Sequence, residues 1–144
     1  MKAVNEVTLS YKKDNHDSPC ITSSRSAEEI FRQDWEDMDL VESFKILLLD
    51  NSHQVKAVFL ASKGGVTSCV VDVRVIFCAA IKCLATAIIV AHCHPSGTLK
   101  ASQADVEITR KLKEAGNILD IKVLDHLILT SKGYYSFADN GLVL

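Results

Sequence analysis

No Cys-x-x-Cys pair, no marked excess of charge of either sign, no internal repeat and no low-complexity tract occur in this chain of 144 residues. Each absence narrows the field. The five cysteines, Cys20, Cys69, Cys78, Cys83 and Cys93, are odd in number, which argues against a disulfide framework and for a reducing cytoplasm. A net charge of −2 and a pI near 6.2 give no global attraction for nucleic acid. Lys100, Arg110, Lys111 and Lys113 gather around one segment, but they read as a solvated helix face. There is no charged-then-apolar leader, and the hydrophobic stretch 73–91 is interrupted by Arg74 and Lys82, so it reads as helix plus strand, not as a membrane span. What is present, 48% hydrophobic residues, suits one compact domain that buries about 68 to 70% of its unfolded surface.

Periodicity divides the chain into alternating elements. Val7, Leu9 and Tyr11 alternate with polar residues and predict a short strand, followed by an exposed loop that contains His16. Ser26 and Glu29 have capping-box spacing, and Ile30, Phe31, Trp35 and Met38 recur with a helical period, which predicts a helix over 27–38. Strands at 44–49 and 55–61 flank Asp50, Asn51, Ser52 and His53, a composition that makes an antiparallel hairpin. Gly64 and Gly65 mark a tight loop, either for positive φ or for close approach of backbone to a substrate. Val73, Phe77, Ala80, Ile81 and Leu84 predict a deeply buried helix, and 87–91 a buried strand. Val106, Ile108, Leu112 and Ala115 give a further helix, with Gly116 placed to end it. Strands are then expected at 119–124 and 127–130. Between them Asp125 and His126 point to opposite faces, so they cannot easily form one dyad, and a structural role, or a supporting one behind a functional site, is expected. Tyr134, Tyr135 and Phe137 read as edge packing. This order predicts an α/β sandwich, a mixed sheet with helices on both sides.

The most chemically loaded segment runs from position 91 to 105, AHCHPSGTLKASQAD. At the end of an apolar strand His92 and His94 share a face, so both imidazoles can reach one ion, while Cys93 points the other way. Pro95 and Gly97 break the strand, Ser102 falls at a helix N-cap, and Asp105 lies three residues later in the first turn. Two histidine nitrogens and one carboxylate make three ligands. The fourth tetrahedral position is left to water, as in a catalytic zinc site, and such a water becomes acidic enough to attack a carbonyl. Taken alone, His-x-His is often two surface histidines and Ser-x-x-Asp only a helix cap; together they favour metal.

The spacing His-x-His-Pro, six residues, then Ser-x-x-Asp resembles the signature of the JAMM (JAB/MPN) metallopeptidase family, most closely its bacterial RadC branch. VESFKILLLDNSHQV resembles the first hairpin of that domain, SKGGVTSCVVDVRVIF its next loop and helix, and ITRKLKEAGNILDIKVLDHLILTSKGYYSFADNGLV its remainder. The likeness covers residues 26–144 and leaves 1–25 as an N-terminal extension. It implies a JAB/MPN fold, related to that of cytidine deaminases, with zinc held by His92, His94 and Asp105. It further implies Glu42 as the general base that passes a proton from water to a leaving amine, and Ser102 as a stabiliser of the oxyanion in peptide or isopeptide cleavage. Two positions depart from the pattern: Cys93 stands where RadC proteins usually carry Asn, and Ala101 where they usually carry Pro. Neither removes a ligand. A deaminase is disfavoured, since its His-x-Glu and Pro-Cys-x-x-Cys elements are missing. The competing readings are a DNA-repair-associated factor, for which the charge balance gives no support, and a non-catalytic MPN scaffold. A peptide or protein substrate is therefore expected, with no membrane association.

Overall fold

The computed structural model describes residues 4–8, 10–14, 17–64 and 70–144. His16, Gly65 and Cys69 lie outside them, as does Leu9 of the expected first strand; Val7 and Tyr11 belong to no strand, and Val7 is 86% exposed. Tyr11 does meet the rest of the protein, its hydroxyl donating to the Lys56 carbonyl at 3.4 Å, but the described residues of this stretch form no backbone ladder, and alternation without a ladder makes no strand. The described residues form α1 (Ser24–Arg32), β1 (Ser43–Leu49), β2 (Val55–Lys63), α2 (Val73–Lys82), β3 (Ala87–Cys93), α3 (Gln103–Leu119), β4 (Lys122–Thr130) and β5 (Gly133–Ser136).

The strands make one mixed sheet in the order β2-β1-β3-β4-β5. β1 and β2 are the expected hairpin, β1 also pairs antiparallel with β3, and β4 with β5. Only β3 and β4 run parallel, which requires a crossover, and α3 supplies it. Apolar residues on the two faces of the central strands build two cores. Leu47, Leu49, Ile89, Ala91, Cys93 and Leu127 pack beneath α1 through Ala27 and Phe31. Ile46, Leu48, Ile88 and Val90 pack on the opposite face against Ile76, Phe77 and Ala80 of α2 and Leu112 of α3. The expected α/β sandwich is the fold observed, consistent with a JAB/MPN domain.

Several local expectations are corrected. The box that starts α1 is Ser23 with Ser26, not Ser26 with Glu29: Ser26 N–H donates to the Ser23 hydroxyl, and the Ser26 hydroxyl accepts from the Ser23 backbone. The helix ends at Arg32, and Trp35 and Met38 reach the core from the turns beyond it. α2 is not buried all round. Val75 and Ile81 are 40 and 45% exposed, because they lie away from the side through which Ile76, Phe77 and Ala80 pack on the sheet and α3. Gly116 lies inside α3, where a Cβ would stand 2.3 Å from the Ile121 carbonyl oxygen; Asp120, at φ 57°, ends the helix. The two strands expected at 119–130 are one, because Asp125 and His126 have their own internal partners and do not break the ladder.

Candidate metal centre

The centre forms where β3 leaves the sheet. Alternation sends Cys93 into the α1 core, with its sulfur near the Ser43 hydroxyl and the Val41 carbonyl, and turns His92 to the α3 side against the Phe44 ring. The backbone stays on β4 for one more residue, His94 N–H donating to the Leu129 carbonyl, and then reverses at Gly97, whose φ of 84° suits glycine. This reversal brings the Thr98 carbonyl 2.8 Å from His94 Nδ1 and fixes the ring.

The first turn of α3 completes the set. Asp105 N–H donates to the Ser102 hydroxyl at 3.0 Å, and Ser102 N–H donates to Asp105 Oδ2 at 2.8 Å, so the expected capping box is present in full. The same carboxylate meets both histidines, Oδ1 at 2.9 Å from His92 Nδ1 and Oδ2 at 3.1 Å from His94 Nε2. The three side chains are only 12, 10 and 3% exposed for His92, His94 and Asp105. Burial pushes the Asp105 carboxyl up, but the hydrogen bonds to His92, His94 and Ser102 outweigh it and hold the group well below the usual carboxylate range. The bond to Asp105 in turn raises the His94 pKa against the effect of burial.

Hydrogen-bond valence shows why these residues suit a cation. With His94 Nδ1 committed to a carbonyl, that nitrogen carries the proton, and Nε2 turns its lone pair towards a carboxylate oxygen. His92 Nε2 is buried without a hydrogen-bond partner among the described residues. A positive ion satisfies both nitrogens at once. One ligand atom from each of the three residues lies within 4.8 Å of the others. Tetrahedral ligands roughly 2.0 to 2.1 Å from zinc stand about 3.4 Å apart, so small side-chain movements bring the set onto one ion. His92, His94 and Asp105 thus could bind a metal ion.

Glu42 lies just before β1. Phe44 is opposite His92 in the β1–β3 register, so a residue two places earlier emerges on the same face. Its Oε2 is 3.7 Å from His92 Nε2, and its backbone carbonyl accepts from Gly64 N–H at 2.8 Å. Glu42, His92, His94, Ser102 and Asp105 all line one open groove of about 740 Å³. Phe44, Val71 and Ile108 give that groove an apolar wall, and Lys100 adds a cation at its edge.

Behind the groove lies a contact not anticipated from sequence. The Thr109 hydroxyl donates to the Asp105 carbonyl at 2.6 Å and stands 2.5 Å from His126 Nδ1. A Thr four residues after a candidate ligand on a helix was the available signal, since such a hydroxyl reaches back one turn. His126 is fully buried, and burial pulls its pKa down to about 3. The ring is neutral, and its Nε2 has no hydrogen-bond partner among the described residues, at a cost of about 1–3 kcal/mol. Asp125 faces away as expected and accepts from the Ser136 hydroxyl and the Ala138 N–H.

A family model, the RadC-like JAB domain, matches residues 21–142. A UPF0758 protein of Flavobacterium johnsoniae is 50% identical over 101 residues, which is 70% of this chain and 44% of that protein. UPF0758 proteins of Pelobacter propionicus and Porphyromonas gingivalis are 39 and 40% identical, each over 85% of this chain and 53 and 54% of their own length. The chain thus spans about half the length of the curated relatives it matches. No helix among the described residues is long and apolar enough to cross a membrane. With the family model covering nearly the whole folded region, the chain belongs to the RadC-like JAB domain family.

Proposed function

We propose that this domain is a zinc-dependent hydrolase that cleaves a peptide or isopeptide bond. The observation that carries the reading is a convergence: three buried ligand-type residues meet one acidic side chain, Glu42, in a groove open to an extended substrate. His92, His94 and Asp105 would hold the ion. When bound, zinc supplies Lewis acidity, which makes a water more acidic and polarises a carbonyl. The residues of the chain do the rest. Glu42, only 18% exposed at its side chain, removes a proton from the attacking water and returns it to the leaving amine. Ser102 uses its oxygen to accept from Asp105 N–H, and its O–H proton is free to donate to a developing oxyanion. Ser102 N–H donates to the Asp105 carboxylate and orients it, and the Thr98 carbonyl keeps the proton of His94 on Nδ1, so that Nε2 is left with its lone pair.

The substrate class is a polypeptide, because the apolar wall of Phe44, Val71 and Ile108 beside a polar floor suits an extended chain. Elemental analysis of protein purified without chelator tests the metal: about one zinc per chain in the parent, and much less in Asp105→Ala, is expected. A folded parent that refuses added zinc would overturn the reading. Glu42→Gln is expected to retain zinc and lose hydrolysis in a peptide-library cleavage screen; undiminished cleavage would remove Glu42 from the reaction.

A further inference from the structure

We propose that His126 is a positioning residue for the metal ligand Asp105, acting through the Thr109 hydroxyl. The inference rests on the metal reading above and extends it to two residues that do not themselves line the groove. Thr109 has one hydroxyl proton. It is given to the Asp105 carbonyl at 2.6 Å, so towards His126 the oxygen can only accept, and His126 Nδ1 must carry a proton. The resulting chain runs from His126 Nδ1–H to Thr109 Oγ1–H to the Asp105 C=O. It ties β4 to the first turn of α3, the turn from which the Asp105 carboxylate projects.

The ring has little freedom to do anything else. It stacks on Phe137 with centroids 4.6 Å apart and planes 12° apart, and Phe44 meets it edge-on at 5.6 Å. The same Phe44 ring contacts His92 at 5.9 Å, so His126 bears on two of the three ligands by two routes. Assigning the proton to Nδ1 leaves Nε2 as a lone pair buried without a partner among the described residues. An apolar side chain would fill this position without that burden. The polar contact this ring does make, the rigid Nδ1 donor 2.5 Å from the Thr109 hydroxyl, is the one that leads to the Asp105 turn.

The test compares His126→Phe and Thr109→Val, which remove donor and relay, with His126→Asn and Thr109→Ser, which keep them. Affinity for Zn²⁺ is read by competition with a chromophoric chelator, and ligand geometry by the visible spectrum of the Co²⁺-loaded protein. The removing variants are expected to bind about tenfold more weakly, with altered cobalt bands, and the keeping variants to recover most of both. The double variant should lose no more than either single one, since one chain is cut in either case. Ala115→Gly, which weakens α3 away from the centre, should leave the affinity unchanged. Folded His126→Phe and Thr109→Val proteins that bind like the parent, or an equal loss in Ala115→Gly, would overturn the inference. The unsubstituted protein offers a check that needs no variant: ¹⁵N NMR should show His126 neutral and protonated at Nδ1, and the opposite tautomer breaks the chain. A parent that takes no metal overturns the hydrolase reading and this inference together, whereas a binding parent with indifferent variants overturns the inference alone.

Discussion

Gly116→Ala should destabilise this protein, although the same change inside most helices stabilises. In an exposed helix interior the gain from glycine to alanine is about 1 kcal/mol. Here the new Cβ would lie 2.3 Å from the Ile121 carbonyl oxygen and 3.4 Å from Val123 Cγ2. The oxygen is backbone at the entry to β4, so it cannot swing aside as a side chain would. Relief comes only by lifting the end of α3 off the sheet by roughly 1 Å, which also stretches the 2.9 Å bond from Ile121 N–H to the Gly116 carbonyl. Overpacking of this kind costs about 1–3 kcal/mol. A 2.3 Å approach to backbone that cannot rotate away puts the cost in the upper half of that range, about 2–3 kcal/mol, so after the propensity gain a net loss of about 1–2 kcal/mol remains, or a fall in Tm of roughly 3–8 °C. Urea unfolding followed by the fluorescence of Trp35, the only tryptophan and one buried against Ser43, reads the change directly. Gly133→Ala is the control, since its Cβ would meet only the movable Leu99 side chain at 3.3 Å. A Gly116→Ala protein as stable as the parent, or more so, would refute the close-approach argument. Asp105 lies at the other end of α3, three helical turns away, so zinc affinity should change less than stability does.

Other perturbations separate roles that coincide in one residue. Ser102→Gly should cost only a few tenths of a kcal/mol, because glycine is a tolerable N-cap, yet slow hydrolysis by about 10²- to 10³-fold; equal slowing and unfolding in thermal melts would reduce Ser102 to a cap. Asp125→Ala strands the Ser136 hydroxyl and two backbone N–H groups and should cost about 2–4 kcal/mol by chemical denaturation, without lowering zinc stoichiometry. Acid should weaken the fold through His126. Its folded pKa is depressed to about 3 from 6.5, so the unfolded chain takes up the proton first, and this contribution is whole above pH 6.5 and lost as pH falls towards 3. In chelator-treated protein the slope attributable to it is about 1.4 kcal/mol per pH unit between pH 6 and 4. The stability of His126→Phe should lack that component, and parallel pH profiles for the two proteins would contradict a neutral, buried imidazole.

The candidate ligand set was legible because the whole of it lies in a strand-turn-helix unit whose geometry follows from local rules. Period-two alternation puts His92 and His94 on one face, and cap spacing places Asp105. Glu42 was not legible in that way. It is brought beside His92 by a β1–β3 pairing, and sequence patterns say nothing of which strands become neighbours; only family resemblance singled it out. Misplaced boundaries have a common cause. Ser23 and Ser26 are both competent caps, Gly116 is both a helix stop and a packing notch, and α2 carries more apolar residues than one sheet can cover. In each case the residue type allowed two uses and tertiary packing chose between them. Thr109 and His126 were similarly ambiguous, since Thr in a helix and His in a strand acquire meaning only from the 2.5 Å contact between them.

The pairing of Phe44 with His92 also bears on how this centre can vary. Strand register is a discrete quantity. A slip of one place would move Glu42 about 3.4 Å along β1 and turn its side chain to the wrong side of the sheet. The carboxylate is therefore indexed to the histidine as a tooth is to a gear, and no gradual drift connects the correct setting with its neighbour. Close by, the irregularity in the β1–β2 ladder between Phe44 and Lys45 sits at the tooth itself. Changes in the loop from Pro95 to Ala101 can tune the centre by degrees, whereas an insertion or deletion beside Phe44 should act as a switch, leaving a folded sheet that has skipped a notch.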